Sequence, residues 1–350
     1  MDPTLNSRQK SIINALKSNG KLSRAEITNL LSKTKKVSRP TVIRDLNELL
    51  ALKIVKTEGG GRATVYRLSQ ENSLLQYFDV DDYFSRGLYD RSAMKNFNPG
   101  VFDSLASLYN KSEIALWEKS VKEFSKRSQK LDPTIYKREL ERFIIELSWK
   151  SSQIEGNTYT LLETETLIKQ RIRAKGHAEG EAIMILNHKY AFDEMLNNKE
   201  RYKKLTLSKV SDLHSILVRG LGVSEGIRKE RVGITGTIYK PIADSTKLHK
   251  KLLELIDHVN SVDYPPEKAL IIAAMVAYLQ PFADGNKRTS RMLANAILLA
   301  YGYYPLSYRD VDVNEYKKTM LLFYEQNNLY HLKRIFIEQL QFAMDNYFRV

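Results

Sequence analysis

The 350-residue sequence has no cysteine. Disulfide frameworks and thiolate metal sites are therefore excluded, and a reducing cytoplasm is the location to expect. Histidine is also scarce. His177, His188, His214 and His331 have no spacing that suggests a metal cluster, and His249 and His258, which could in principle serve as a base, read as ordinary surface or half-buried residues. No apolar run is long enough to cross a bilayer, and Leu270–Leu279 is bounded by polar sequence on both sides. The opening MDPTLNSRQKS has no apolar signal region, so no membrane partner is expected. Internal repeats and low-complexity tracts are missing too. The remaining composition, 43% hydrophobic and 27% charged, is that of a folded chain with room for two domains.

Acidic charge is short at one end. The net charge is +14, and residues 1–70 hold 14 Lys and Arg against 5 Asp and Glu. A fifth of the chain thus carries most of the excess, which suits a polyanionic partner. Asn6 with Gln9, and Ser23 with Glu26, have capping-box spacing ahead of the stripes Ile12, Ile13, Leu16 and Ile27, Leu30, Leu31. Ser38 can cap a third helix with Pro40 in its first turn and Val42, Ile43, Leu46, Leu49 and Leu50 on its buried side. Two strand-like runs, IVKTEGGG and RATVYRLS, then read as a hairpin.

Three helices and a hairpin resemble a winged helix-turn-helix, with VSRPTVIRDLNELLALKIV similar to the recognition helix of bacterial regulators. In that reading Ser38, Arg39, Thr41 and Arg44 face the major groove, Arg62 on the wing reaches a phosphate, and Lys33, Lys35 and Lys36 add backbone attraction. The predicted organisation is a DNA-binding module at 1–70, a linker and irregular packing segment at 71–111, and a helical domain at 112–350.

Within that last domain, EKALIIAAMVAYL and MLANAILLAY are apolar nearly all round and predict two buried helices. Between them lies QPFADGNKRTSR. Phe282 can plug the core beneath it, and Gly285 permits a turn that brings amides close to a ligand. A helix opening near Asn286 offers free N–H groups and a positive dipole end to an anion. Lys287, Arg288 and Arg291 add charge, and Asp284 is a hard oxygen ligand suited to Mg2+ shared with phosphate oxygens.

The run PFADGNKRTSR resembles the core motif of Fic (Fido) proteins, through Pro281, Phe282, Asp284, Gly285, Asn286, Lys287, Arg288 and Arg291. The likeness extends from about Ser151 to the C-terminus. It implies a mainly α fold with a small β-hairpin flap, and transfer of AMP from ATP to a protein hydroxyl. It further implies Asp284 on Mg2+, with Gly285, Asn286 and Lys287 as anion cradle and Arg288 and Arg291 on the triphosphate. RVGITGTIYKP would be the flap, its Gly233, Ile234, Thr235, Gly236 and Thr237 holding a target segment by strand addition. SSQIEGNT is similar to the family's inhibitory pattern through Ser151, Glu155 and Gly156. A helix ending near residue 156 would place Glu155 on Arg291, where the γ-phosphate goes.

Two positions depart from that pattern. Gln280 stands where the family has its general-base histidine. A carboxamide can orient a hydroxyl but cannot take its proton, so nucleotide binding is expected and turnover is in doubt. Lys287 stands where most nucleotide-transferring members have glycine, as in the Doc kinases, which transfer the γ-phosphoryl group. The expectations are therefore an adenylyltransferase restrained by Glu155, or a non-enzymatic nucleotide-sensing DNA-binding regulator, or, ranked below AMP transfer, a Doc-like kinase. The partners to expect are ATP with Mg2+, DNA through residues 1–70, a protein hydroxyl on a target or on the chain itself, and a second copy in a homodimer.

Overall fold

The computed structural model describes residues 5–33 and 37–349, and the chain divides into two compact units at Ser85/Arg86. Lys35 and Lys36 lie outside the described residues, as does the side chain of Arg62. The division falls inside the 71–111 stretch.

The first unit contains α1 (Ser7–Asn19), β1 (Lys21–Ser23), α2 (Arg24–Ser32), α3 (Arg39–Ala51), β2 (Val55–Glu58), β3 (Val65–Leu68) and α4 (Val80–Ser85). Each of the first three helices starts at a capping side chain. Asn6 and Ser23 form reciprocal boxes with Gln9 and Glu26, and the Ser38 hydroxyl accepts from the Thr41 amide ahead of Pro40. Each cap of this kind stabilises its helix by about 1 kcal/mol. The strands form one antiparallel sheet in the order β1-β3-β2, with Leu22 opposite Tyr66 and Val55 opposite Leu68. Ile12, Ile13, Leu16, Ile27, Val42, Leu46 and Leu49 meet beneath it as the core. Buried Asp45 ties α3 to the head of α1, accepting from Arg8 Nε (2.7 Å), Arg8 Nη2 (3.2 Å) and Asn6 Nδ2 (3.0 Å). Three helices with a two-stranded wing make this unit a winged helix-turn-helix.

The second unit is helical: α5 (Lys111–Lys130), α6 (Pro133–Ile154), α7 (Leu161–Gln170), α8 (Glu179–Asn197), α9 (Leu207–Val218), α10 (Ser245–Ser261), α11 (Pro265–Leu279), α12 (Asn286–Ala300), α13 (Val313–Gln326) and α14 (Tyr330–Asn346). At its centre are α11 and α12, buried along nearly their whole length, as the apolar runs EKALIIAAMVAYL and MLANAILLAY lead one to expect. At roughly 1.5–3 kcal/mol for each buried large aliphatic side chain, this pair is the most strongly held part of the unit. The loop between them is correspondingly rigid.

The flap needs one correction. Residues 231–241 turn at Thr235–Gly236, but no paired strands flank that turn among the described residues. Instead a single bridge joins Lys240 to Asn96. Two glycines in so short a segment remove packing side chains and raise the entropy of ordering, and an isolated two-stranded hairpin is marginal in water. The segment is irregular main chain around a turn, without a ladder of its own among the described residues.

Candidate nucleotide site and the Glu155 carboxylate

The loop geometry begins with Gln280, which ends α11 in the left-handed conformation (φ 51°). Its carboxamide is used at both ends. Nε2 donates to the Ala277 carbonyl (2.7 Å), and Oε1 accepts from Asn286 Nδ2 (2.9 Å). Asn286 also accepts from the Phe282 amide (2.9 Å) and donates to the Phe282 carbonyl (2.8 Å), so its side chain staples the loop and is not itself part of an anion cradle. Phe282 is buried and stacks on His214, with centroids 3.7 Å apart and planes 8° from parallel. His214 Nε2 donates to the Asp284 carbonyl (3.0 Å), while burial lowers the imidazole pKa and keeps the ring neutral.

Gly285 then turns with φ 79° to open α12. A Cβ there would lie 2.9 Å from Val218 Cγ1, so conformation and space both require glycine. The head of α12 has no side-chain cap, which leaves its first N–H groups for an anion.

The motif's cations divide into two roles. Arg288 faces inward and donates from Nη1 to the Leu217 carbonyl (3.3 Å) and from Nη2 to Asp284 Oδ2 (3.2 Å). Burial lowers its pKa, and it does not line the cleft. Both of these Arg288 contacts are within the protein, and Asp284 is left 70% exposed at the mouth.

Arg291 is fully buried and holds the C-terminal end of α6. Nε donates to Ser151 Oγ (3.0 Å), and Nη2 donates to the Ser151 carbonyl (2.9 Å) and to Glu155 Oε1 (2.9 Å). Tyr316 lies under the guanidinium at 5.4 Å, and Nη1 has no hydrogen-bond partner among the described residues. The second Glu155 oxygen accepts from Lys287 Nζ (2.9 Å). Burial pushes the Glu155 carboxyl up, but Arg291 and Lys287 outweigh it and hold the pKa at about 2. Ser151 is fixed in turn by His188 Nε2 (2.8 Å), whose Nδ1 bonds the Met184 carbonyl (2.8 Å). Burial takes that imidazole down to about 3, so it is neutral: Nδ1–H donates to the carbonyl and Nε2 accepts from Ser151.

Glu155 and Lys287 open onto a cleft of about 480 Å3. Val232, Gly233, Ile234 and Thr235 form one wall and Tyr316, Lys317, Met320, Leu321 and Tyr324 on α13 another, with Glu155, Gln280, Asp284 and Lys287 at the polar end. His249 is exposed and His258 donates to the Leu105 carbonyl (3.0 Å), so neither replaces the missing histidine. The cleft wall on α13, the Tyr316 platform and the His188 support were not legible in the sequence. Their spacing is that of ordinary helices, and only packing brings them to the loop.

In the first unit, Ser38, Arg39 and Arg44 are exposed and Thr41 is half-buried. The Ser38 and Thr41 hydroxyls lie 2.8 Å apart within the cap. Arg39 also borders a groove of about 600 Å3 with Arg24, Thr28, Asn29, Thr64 and Tyr66, residues not singled out by sequence reasoning.

A buried helix pair presenting a cationic loop, closed by a carboxylate from a neighbouring helix, defines a Fic-type domain. The comparisons agree: residues 204–298 match the Fic/DOC family and residues 5–96 match the penicillinase repressor family. One segment of the chain is thus similar to the Fic/DOC family, and the segment ahead of it is similar to the penicillinase repressor family. It is 27% identical over 162 residues to the protein adenylyltransferase Fic of Drosophila erecta, covering 45% of this chain and 32% of that protein. To the protein of the same name in Nematostella vectensis it is 29% identical over 189 residues, covering 51% and 43%. The matches thus span about a third to two fifths of these relatives' length. Among solved structures, Fic-1 from C. elegans shares the fold at 16% identity and TM-score 0.54, covering 99% of both chains. A Fic domain containing signaling protein from Bacteroides thetaiotaomicron does so at 20% and 0.50, covering 67% of this chain and 95% of that one.

Proposed function

We propose that the second unit binds Mg2+–ATP at the head of α12 under restraint by Glu155, and that the first unit binds DNA. The observation that carries the nucleotide reading is the seat of Glu155. A carboxylate spans Arg291 and Lys287, beside a guanidinium nitrogen with no partner among the described residues and a helix start with no side-chain cap. Anionic oxygens fit that set, and Glu155 holds the place that a terminal phosphate would take. Asp284 is the carboxylate available to Mg2+, which needs one or two such ligands beside phosphate oxygens and would neutralise charge on them.

The reaction class is AMP transfer, the activity named for the relatives. A target hydroxyl oxygen bonds to the α-phosphorus, the bond to pyrophosphate breaks, and the hydroxyl proton must leave. Gln280 cannot accept that proton, and Glu155, held at about 2, is too weak a base. Losing a positioned base typically removes on the order of 10²–10⁴ in rate. The second reading, a nucleotide-sensing regulator, is favoured by the same side chain, because both ends of Gln280 are engaged in structure.

Incubation with α-labelled ATP separates the two. Label that appears on Glu155→Gly and rises further with Gln280→His supports transfer of AMP. Label from the γ-position alone supports the Doc-type reaction. No label, together with DNA retention that depends on ATP, supports the regulator. Removal of residues 1–70 should abolish salt-sensitive DNA binding, since phosphate contacts release counterions. Retention by the truncated chain would overturn the DNA assignment.

A further inference from the structure

The flap of the second unit has no ladder to fix its height over the cleft, yet two arginines hold it. At its base, buried Arg228 donates to the carbonyls of Gln280 (2.6 Å) and Ile242 (2.7 Å), and its amide donates to Pro281 (3.0 Å). At its tip, Arg91 Nη2 donates to the Gly236 carbonyl (2.7 Å) and to Glu325 Oε1 (3.0 Å). Arg91 is nearly buried and Glu325 wholly so, which makes this pair costly to break from one side.

The residues following Arg91 continue the hold. The Met94 amide donates to the Glu325 carbonyl (2.9 Å), the Lys240 amide to the Lys95 carbonyl (2.8 Å), and the Asn98 amide to the Tyr278 hydroxyl (2.9 Å). Asn98 Nδ2 also donates to Asn327 Oδ1 (2.9 Å). Residues 91–98 therefore run as a strap across the end of α13, the tip of the flap and α11.

We propose that Arg91 is a positioning residue for the protein segment that the flap receives. The proposal rests on the adenylyltransferase reading of the cleft. Val232, Gly233, Ile234 and Thr235 line that cleft, so the height of the turn at Gly236 sets the width available to a target strand. Lys287 and Arg291 stand on α12 and have no bond to the strap, so nucleotide affinity is independent of it. A planar guanidinium reaches carboxylate and carbonyl together, whereas a lysine ammonium is a point charge suited to one of them.

The test uses the full chain carrying Glu155→Gly and Gln280→His as parent. Amide hydrogen exchange over residues 232–238 is read beside incorporation of α-labelled ATP into the chain. Arg91→Ala should speed exchange over 232–238 by about tenfold or more, with α12 unchanged. Label incorporation at saturating ATP should fall by roughly tenfold or more, at an unchanged half-saturating ATP concentration. Arg91→Lys should recover part of both. Should Arg91→Ala not fold, Glu325→Gln carries the same readouts. Unchanged exchange at 232–238, exchange that rises equally throughout the second unit, or a half-saturating ATP concentration that rises with the rate loss would overturn the proposal. A parent that takes up no label would defeat the adenylyltransferase reading instead, and the exchange measurement would still decide whether Arg91 holds the flap.

Discussion

Glu155→Gln is the most informative perturbation, because it removes one charge and almost no volume. The carboxyl titrates at about 2 in the folded chain against an ordinary 4.5. At about 1.4 kcal/mol per unit, that difference is worth about 3 kcal/mol of stability near neutral pH. The side chain is only 14% exposed, so solvent screening reduces the figure little. An independent argument agrees: removing one partner of a buried pair leaves the other uncompensated, at roughly 3–5 kcal/mol. Trp117 and Trp149 are the chain's two tryptophans and both lie in the second unit, so their fluorescence follows that unit alone. With a urea slope of about 3 kcal/mol/M, the midpoint should fall by about 1 M.

The pH dependence has a defined sign. Glu155 has a depressed folded pKa, so its contribution is complete above about 4.5 and is lost as pH falls through about 2. The gap between parent and Glu155→Gln should be constant from pH 6 to 8 and close between about pH 4.5 and 2. ATP at about 100 times its Kd should return about 2.7 kcal/mol to the variant. Equal midpoints at pH 7, or a gap that persists undiminished at pH 3, would refute the claim that Arg291 and Lys287 hold this carboxylate.

Three further outcomes are expected. Gly285→Ala should destabilise the second unit by roughly 1–3 kcal/mol in the same urea assay, since its Cβ meets Val218 at a positive φ; an unchanged midpoint would contradict the fit. His188→Gln should flatten the pH dependence of that unit. The histidine has a depressed folded pKa of about 3, so the unfolded chain binds the extra proton and stability falls as pH drops from about 6.5 toward 3. Asp45→Asn should lose roughly 1–3 kcal/mol from the first unit and weaken DNA binding without moving the tryptophan transition; circular dichroism and a DNA titration at fixed salt check both parts.

The sequence alone determined every feature that depends on near neighbours. Asn6 with Gln9, Ser23 with Glu26, and Ser38 ahead of Pro40 act within one helical turn, so their spacing was enough to start three helices. The apolar runs flanking PFADGNKRTSR marked a buried helix pair, because that property belongs to residue type and order. The flap was misjudged at the same level. β-Branched residues and glycine suggested a hairpin, but only an available partner strand decides pairing. Tertiary structure assigned the partners. It turned Arg288 inward onto Leu217 and left Arg291 facing Glu155, although both sit on one face of the same helix. It placed His188 behind Ser151, Tyr316 under Arg291 and Arg91 on the flap tip. These contacts join residues between 25 and 145 positions apart. Charge pairing and hydrogen bonding are short-ranged, so sequence order does not reveal which of these distant groups meet until the core between them has packed.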